Sequence, residues 1–189
     1  MLCSRCAAAL RPAPDRRPPP NLDALAGVFL YRGAAERIVA RAKYRHDVRL
    51  LNLLGETLGP LLDTVLECAP TAPAAVLTWI PGTPRHRRQR GGDPAATLAR
   101  SAVTASIHPP IGRPSVEQLL RRHDDRPQAD RDRAGRLVGP QLVSVVPAPP
   151  FVIVLDDVCT TGASLDAAGR TLRQAGAQRV VGLALAVRN

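Results

Sequence analysis

Asp156 and Asp157 stand side by side at the end of an apolar run, and after Val158 and Cys159 come five small or hydroxyl-bearing residues, Thr160, Thr161, Gly162, Ala163 and Ser164. Adjacent carboxylates accept hydrogen bonds from hydroxyls or attract a cation. Small residues at the start of a helix bind an anion through free backbone N–H groups and the helix dipole. One ligand satisfies both parts only if it carries hydroxyls or a metal at one end and phosphate at the other. A ribose 5-phosphate has that form, with its 2- and 3-hydroxyls on the acids and its phosphate in the turn. A nucleoside triphosphate loop would end in Gly-Lys-Ser/Thr, yet no lysine follows Gly162, and the dinucleotide glycine pattern is absent too. The bland alternative, that the acids merely cap a helix, is disfavoured because two carboxylates at the end of a buried strand are costly without a ligand or partner. No histidine is locally paired with Cys159, so it reads as a small hydrophobe in a turn rather than a nucleophile.

The elements that must position this loop are legible around it. Residues 151–155 (FVIVL) form a continuous apolar, β-branched run, as expected of a parallel strand buried on both faces. Residues 164–175 have helical spacing, with Leu165, Ala168 and Leu172 inward and Gly176 just past the end. Residues 180–187 (VVGLALAV) make a second buried strand. Strand, helix and strand form a βαβ unit, in which ligands bind outside the carboxyl ends of the strands.

Upstream, helical spacing covers residues 34–44, and a longer amphipathic run covers 48–66, with Leu50, Leu51, Leu54, Leu58, Leu61, Leu62 and Val65 on one face. Pro60 is expected to bend or split it. Residues 75–80 (AVLTWI) read as an inner strand stopped by Pro81-Gly82. A basic loop follows, with Arg85, Arg87, Arg88 and Arg90, before Asp93-Pro94 opens a helix through about Ser106. Residues 117–136 are crowded with charges of both signs and read as an exposed loop or short helix; residues 141–146 (QLVSVV) are a candidate strand. The proline-rich stretch 11–20 (RPAPDRRPPP) excludes a helix or inner strand and reads as a linker or a loose surface wrap.

At 189 residues and 45% hydrophobic content, the chain suits one α/β domain with a short appendage. The expected division is 1–20 as appendage and linker, and 21–189 as the main domain. No run of about 18 apolar residues occurs, and the N-terminus has cysteines and prolines where a secretory signal would be apolar. A cytoplasmic protein without membrane insertion is the expectation. The formal charge of +10 is carried almost wholly by arginine, Lys43 being the one lysine. Such an excess suits nucleic acid, phosphorylated substrates or an acidic partner, and equally a chain whose solvated faces are simply arginine-rich. Cys3 and Cys6 have a zinc-knuckle spacing, but no second pair or nearby histidine completes four ligands, so zinc is not expected.

The stretch from the apolar strand through Asp156-Asp157 to Thr160-Thr161-Gly162-Ala163-Ser164 resembles the phosphoribosyl diphosphate motif of type I phosphoribosyltransferases. CSRCAAAL, AERIVARAKYRHDVRLLNLLGETL, IPGTPRHRRQRGGDPAATLAR and RRHDDRPQADRDRAGR narrow the resemblance, over almost the whole chain, to the ComF family. That resemblance implies a Rossmann-like type I phosphoribosyltransferase fold: a central, mostly parallel sheet flanked by helices, with a truncated zinc-ribbon remnant at the N-terminus. It implies that Asp156 and Asp157 contact ribose hydroxyls as catalytic groups, while Thr160, Thr161, Gly162, Ala163 and Ser164 surround the 5-phosphate. It also implies that the turn from Gly82 to Arg85 takes the diphosphate, with Arg87, Arg88 and Arg90 nearby, and that Arg121, Arg122, Arg126 and Gln128 lie in a hood over the site. Magnesium would travel on the ligand's diphosphate.

The resemblance implies a protein that binds Mg-phosphoribosyl diphosphate or a related ribose phosphate and transfers the phosphoribosyl group with loss of diphosphate. Its alternative is a non-catalytic accessory to DNA uptake in natural competence, engaging single-stranded DNA or a DNA-processing partner. A homodimer is also compatible with it. Thr160 stands where hypoxanthine-salvaging relatives carry an Asp that works on the purine, which disfavours 6-oxopurine salvage. The family's Arg-Gly-aromatic-Asn-Gln becomes Arg90-Gly91-Gly92-Asp93-Pro94, and a usual Asn falls at Gly139. These departures fall on the acceptor side and leave the phosphoribosyl half whole.

Overall fold

Continuous β-branched and leucine-rich runs, alternating with leucine and alanine stripes at helical spacing, build a parallel sheet covered by helices on both faces. The structure is a computed structural model and describes residues 4–44, 47–69, 75–89, 91–107, 113–123 and 139–188. In chain order the elements are α1 (Ser4–Ala8), β1 (Ala24–Leu30), α2 (Ala34–Tyr44), α3 (Val48–Glu56), α4 (Gly59–Glu67), β2 (Val76–Trp79), α5 (Pro84–Gln89) and α6 (Pro94–Ala105). Then come β3 (Ser115–Val116), β4 (Leu120–Arg122), β5 (Leu142–Ser144), β6 (Phe151–Cys159), α7 (Ala163–Gln174) and β7 (Arg179–Val187).

Five strands pair in the order β1-β7-β6-β2-β3, every neighbouring pair parallel. β4 and β5 form a separate antiparallel ribbon, Leu120 opposite Ser144. From β2 the chain moves to β3 on one side, whereas from β6 it moves to β7 on the other, so the connections diverge between β2 and β6. Such a switch point opens a crevice at the carboxyl ends of the two strands.

Two cores sandwich the sheet. Phe151, Ile153, Leu155, Val181, Leu183 and Leu185 pack with α2, α3, α4 and α6, whereas Val152, Val154, Val180 and Ala184 pack with Leu165, Ala168 and Leu172 of α7. The second core also takes Leu119 and Leu120, at 1% and 0% exposure. The charged stretch containing them is expected from sequence to be an exposed loop or a short helix; two adjacent buried leucines make its start core instead. Residues 124–138 of that stretch lie outside those described.

Other elements differ from expectation for identifiable reasons. The basic loop contains α5, because Pro84 is preset for a first helical turn and arginine and glutamine are good helix formers. The amphipathic run is split near Pro60 as expected: it divides at Thr57 and Leu58, and Pro60 sits in the first turn of α4, where its missing N–H costs nothing. β6 runs on to Cys159, beside β7, so Asp156 and Asp157 lie within the strand rather than beyond it. The helix after Asp93 forms as expected, with Asp93 Oδ1 accepting from Ala95 N at 3.3 Å.

The proline-rich stretch is held rather than loose. Pro12 bridges Phe29, Ala13 N donates to Val28 O at 3.0 Å, and Leu30 N donates to Arg11 O at 2.8 Å. Cys6, on α1, packs half-buried against the first core, and Cys3 lies outside the described residues. Among the described residues no helix is long and apolar enough to cross a membrane.

Candidate functional site

The acid pair occupies the β6 side of the crevice. Leu155 and Val158 pack into the first core while Val154 and Cys159 pack into the second, so strict in-and-out alternation does not run through Asp156 and Asp157. The two neighbouring carboxyls lie close enough for the charge of Asp157 to act on Asp156. Asp156 Oδ1 also accepts from the Asp157 N–H at 2.9 Å.

Lys43, from the last turn of α2, places Nζ 2.6 Å from Asp157 Oδ2. Burial by itself lowers the Lys43 pKa, but the charge and hydrogen bond of Asp157, with Asp156 and Tyr31 adding, leave it raised above 10.5. Asp156 is pushed the other way for a carboxyl: burial first, then the charge of Asp157, raise it to about 8 against the opposing pull of Lys43. Asp156 therefore holds its proton more tightly than an ordinary carboxyl, and Lys43 lies against Asp157. The site brings two carboxyl groups and an ammonium into one patch.

Downstream, Asp156, Val158, Cys159, Thr160, Thr161, Gly162, Ala163, Ser164 and Leu165 line a small pocket. Gly162 caps α7 at φ 85°, a left-handed conformation that glycine adopts without strain. The helix start leaves its first N–H groups without intrahelical partners, and that of Ala163 meets the Thr161 hydroxyl at 3.3 Å. All five residues assigned to a 5-phosphate thus line one pocket together with Asp156. Burial raises the Cys159 thiol pKa, with Asp156 adding and Arg16 opposing, which agrees with its reading as a packing residue.

The β2 side of the crevice carries the turn assigned to diphosphate. Ile80 N donates to Leu155 O at 2.9 Å, which sets that turn beside the acid-bearing end of β6. Gly82 N donates to Asp93 Oδ2 at 2.8 Å, so the cap of α6 also fixes the turn. Burial raises the Asp93 pKa; the N–H groups of Gly82 and Ala95 and the charge of Arg87 oppose this, and Asp157 adds to it. Asp93 is thereby linked electrostatically to the basic helix on one side and to the acid pair on the other.

Of the arginines assigned to diphosphate or hood, Arg85 and Arg88 are exposed on α5. Arg87 and Arg88, with Pro84 and Gly91, line an open depression of about 510 Å³, and the buried Nε of Arg87 has no hydrogen-bond partner among the described residues. Arg122, on β4, reaches back to the β2 turn, its Nε donating to Pro81 O at 2.6 Å; Arg121 beside it is exposed. Arg90, Arg126 and Gln128 lie outside the described residues.

Sequence reasoning missed Lys43, Arg16 and the second role of Asp93. For Lys43 a signal existed, since it is the one lysine among 26 lysines and arginines. For Arg16 there was none: it sits in the proline-rich stretch, yet its guanidinium reaches the carbonyls of Thr160 and Thr161. Among the described residues no group of three or more His, Cys, Asp or Glu side chains could hold a metal ion. A divalent cation here would meet at most the adjacent acids, with the rest of its shell supplied by a ligand or water. In comparisons with known proteins, no family model matches the chain and no curated protein matches it.

Proposed function

We propose that the chain is a type I phosphoribosyltransferase-like protein of the ComF kind, which binds Mg-phosphoribosyl diphosphate or a related ribose phosphate in the crevice between β2 and β6. The observation that carries the reading is the pocket in which Asp156 and all five residues 160–164 meet at the start of α7. In this reading the 5-phosphate takes the N–H groups of the turn and the hydroxyls of Thr160, Thr161 and Ser164. The ribose hydroxyls face Asp156 and Asp157, and the diphosphate lies toward the Gly82 turn and the α5 arginines.

Magnesium on the diphosphate would supply charge neutralisation for the leaving group. The chain's own contribution is electrostatic and positional. As the anomeric carbon gains positive charge, the acids steady the sugar, while Arg87 and Arg88 face the departing negative charge. Lys43 holds Asp157 in place for that task, and the raised Asp156 pKa would fall on arrival of a magnesium ion with the ligand, its proton leaving to water.

Titration with Mg-phosphoribosyl diphosphate tests this directly. Saturable heat is expected from the intact chain and none from the variant carrying both Asp156→Ala and Asp157→Ala; equal binding by that folded variant overturns the reading.

A second reading, engagement of single-stranded DNA by the basic surface, is favoured by the exposure of Arg85, Arg88 and Arg121. Base stacking receives little support: Trp79 and Phe151 are 6% and 2% exposed, and Tyr31 is covered by Arg188. Binding through the phosphate backbone remains, and its affinity should fall steeply as salt rises. Salt-independent binding, or none at low salt, counts against it.

A further inference from the structure

After its bridge to β1, the proline-rich stretch crosses the carboxyl ends of the sheet and finishes on α7, where Asp166 Oδ1 accepts from Asn21 N at 3.1 Å and from Asn21 Nδ2 at 3.0 Å. On the way, Arg16 meets the turn after β6. Its Nη2 donates to the Thr161 carbonyl at 2.8 Å, and its Nη1 donates to the Thr160 carbonyl and, at 3.2 Å, to the Arg188 carbonyl. No carboxylate among the described residues pairs with it. Nor is Arg16 among the residues that line the pocket. It stands behind the turn, its positive charge unpaired by any carboxylate among the described residues.

That position has a consequence for the N–H groups. The peptide bonds here are trans, so within each unit the N–H points opposite to the C=O. With the Thr160 and Thr161 carbonyls drawn toward Arg16, the N–H groups of Thr161 and Gly162 face away from it. A guanidinium on the carbonyl side also polarises both peptide units, which strengthens those N–H groups as donors. Pro19 closes the same side: a Cβ at Gly162 would lie 3.0 Å from Pro19 Cγ.

We propose that Arg16 is a positioning residue for phosphate binding, which clamps the Thr160 and Thr161 carbonyls from behind and so aims and polarises the N–H groups of the turn toward a sugar phosphate monoester. The proposal rests on the sugar-phosphate reading of the same pocket. It adds that the stretch before β1 is part of the site, and that the phosphate end of the ligand depends on it more than the ribose end does.

The test is calorimetric titration of the intact chain, Arg16→Gln and Arg16→Lys with ribose 5-phosphate and with Mg-phosphoribosyl diphosphate, alongside melting temperatures without ligand and the amide resonances of Thr161 and Gly162. Arg16→Gln is expected to weaken ribose 5-phosphate binding about tenfold or more, the loss of charge-assisted hydrogen bonds, and to move those two resonances. Arg16→Lys keeps the charge without the planar fork that spans two carbonyls, and is expected to recover only part of the affinity. A folded Arg16→Gln variant that binds like the intact chain overturns the clamp and leaves the pocket reading standing. An intact, folded chain that binds neither ligand overturns the pocket reading and the clamp with it. Should Arg16→Gln not fold, Arg16→Lys decides: full affinity overturns the clamp, and weakened affinity with shifted Thr161 and Gly162 amides supports it.

Discussion

Lys43 Nζ and Asp157 Oδ2 lie 2.6 Å apart, joining the end of α2 to the end of β6 through side chains that are 22% and 18% exposed. The pair fixes one acid of the candidate site and compensates its charge in a patch where Asp156 is already crowded. Its stabilisation persists across neutral pH: the folded-state pKa of Lys43 is raised, so the contribution is complete below about 10.4, the ordinary lysine value, and is lost as pH climbs through the higher folded value.

Replacing Lys43 by Met keeps most of the side-chain bulk and strands Asp157. Denaturant unfolding at pH 7 should register a loss of about 1–3 kcal/mol, the cost of leaving a partly buried partner unmatched. Most of that loss should be recovered when Asp157→Asn is added. An additive double variant would mean that the two side chains do not depend on each other.

Asp156 makes an opposite demand on stability. Its folded pKa of about 8 stands above the ordinary 3.8, so between those values the folded chain holds a proton that the unfolded chain has released. The contribution of this group to stability is therefore complete below about pH 4 and declines as pH rises through about 8. Asp156→Asn, which mimics the protonated carboxyl, should be more stable than the natural chain by about 1 kcal/mol or more at pH 8, with the difference vanishing toward pH 4. Melting temperatures recorded across that range check it; parallel curves for the two proteins contradict the raised value.

The β6-α7-β7 unit was legible because its signals are local: residues 151–155 are continuously apolar, Leu165, Ala168 and Leu172 repeat at helical spacing, and Gly176, at φ 116°, ends the helix. β1 gave no such signal. Its ALAGVFL is rich in alanine and glycine, which are depleted in strands, and it is a strand because it pairs with β7 and lies under Pro12 and Ala13. That Asp156 and the residues from Thr160 to Ser164 share one loop at the start of a helix could be read from residue types and spacing alone. Arg16 could not be assigned to it, and Lys43 stood out only as the one lysine, because their contacts exist only once the chain has returned across most of its length. The arginine-rich stretch after Pro81 concealed α5, since a run of like charge resembles a solvated loop until Pro84 is recognised as a helix start.

Gly162 is a sharp test of the turn. Its φ of 85° disfavours any side chain, and a Cβ there would press on Pro19 Cγ at 3.0 Å. Gly162→Ala is expected to cost about 1–3 kcal/mol of stability, as residues held in sparsely populated backbone regions do. It should also weaken ribose 5-phosphate binding, since relaxing the strain rotates the peptide units that carry the N–H groups. Unchanged stability and affinity would mean that the turn adapts without using this conformation.

Arg122 offers the complementary test at the other end of the crevice. Its Nε donates to Pro81 O at 2.6 Å, tying β4 to the turn that Asp93 holds from beneath through Gly82 N. Arg122→Ala removes one of several holds on that turn, Asp93 through Gly82 N and Leu155 O through Ile80 N being others, so the chain should lose only about 1–2 kcal/mol, in keeping with a hydrogen bond to a charged group. The binding signature should instead divide by ligand. In the proposed binding mode ribose 5-phosphate reaches only the pocket at α7 and should bind as before, whereas Mg-phosphoribosyl diphosphate would also use the β2 turn and should bind several-fold more weakly. Arg16→Gln has the reverse expectation for ribose 5-phosphate, so the two variants titrated with the two ligands assign each end of the crevice to its phosphate group. Equal weakening of both ligands by Arg122→Ala would mean that β4 supports the whole site rather than its diphosphate end.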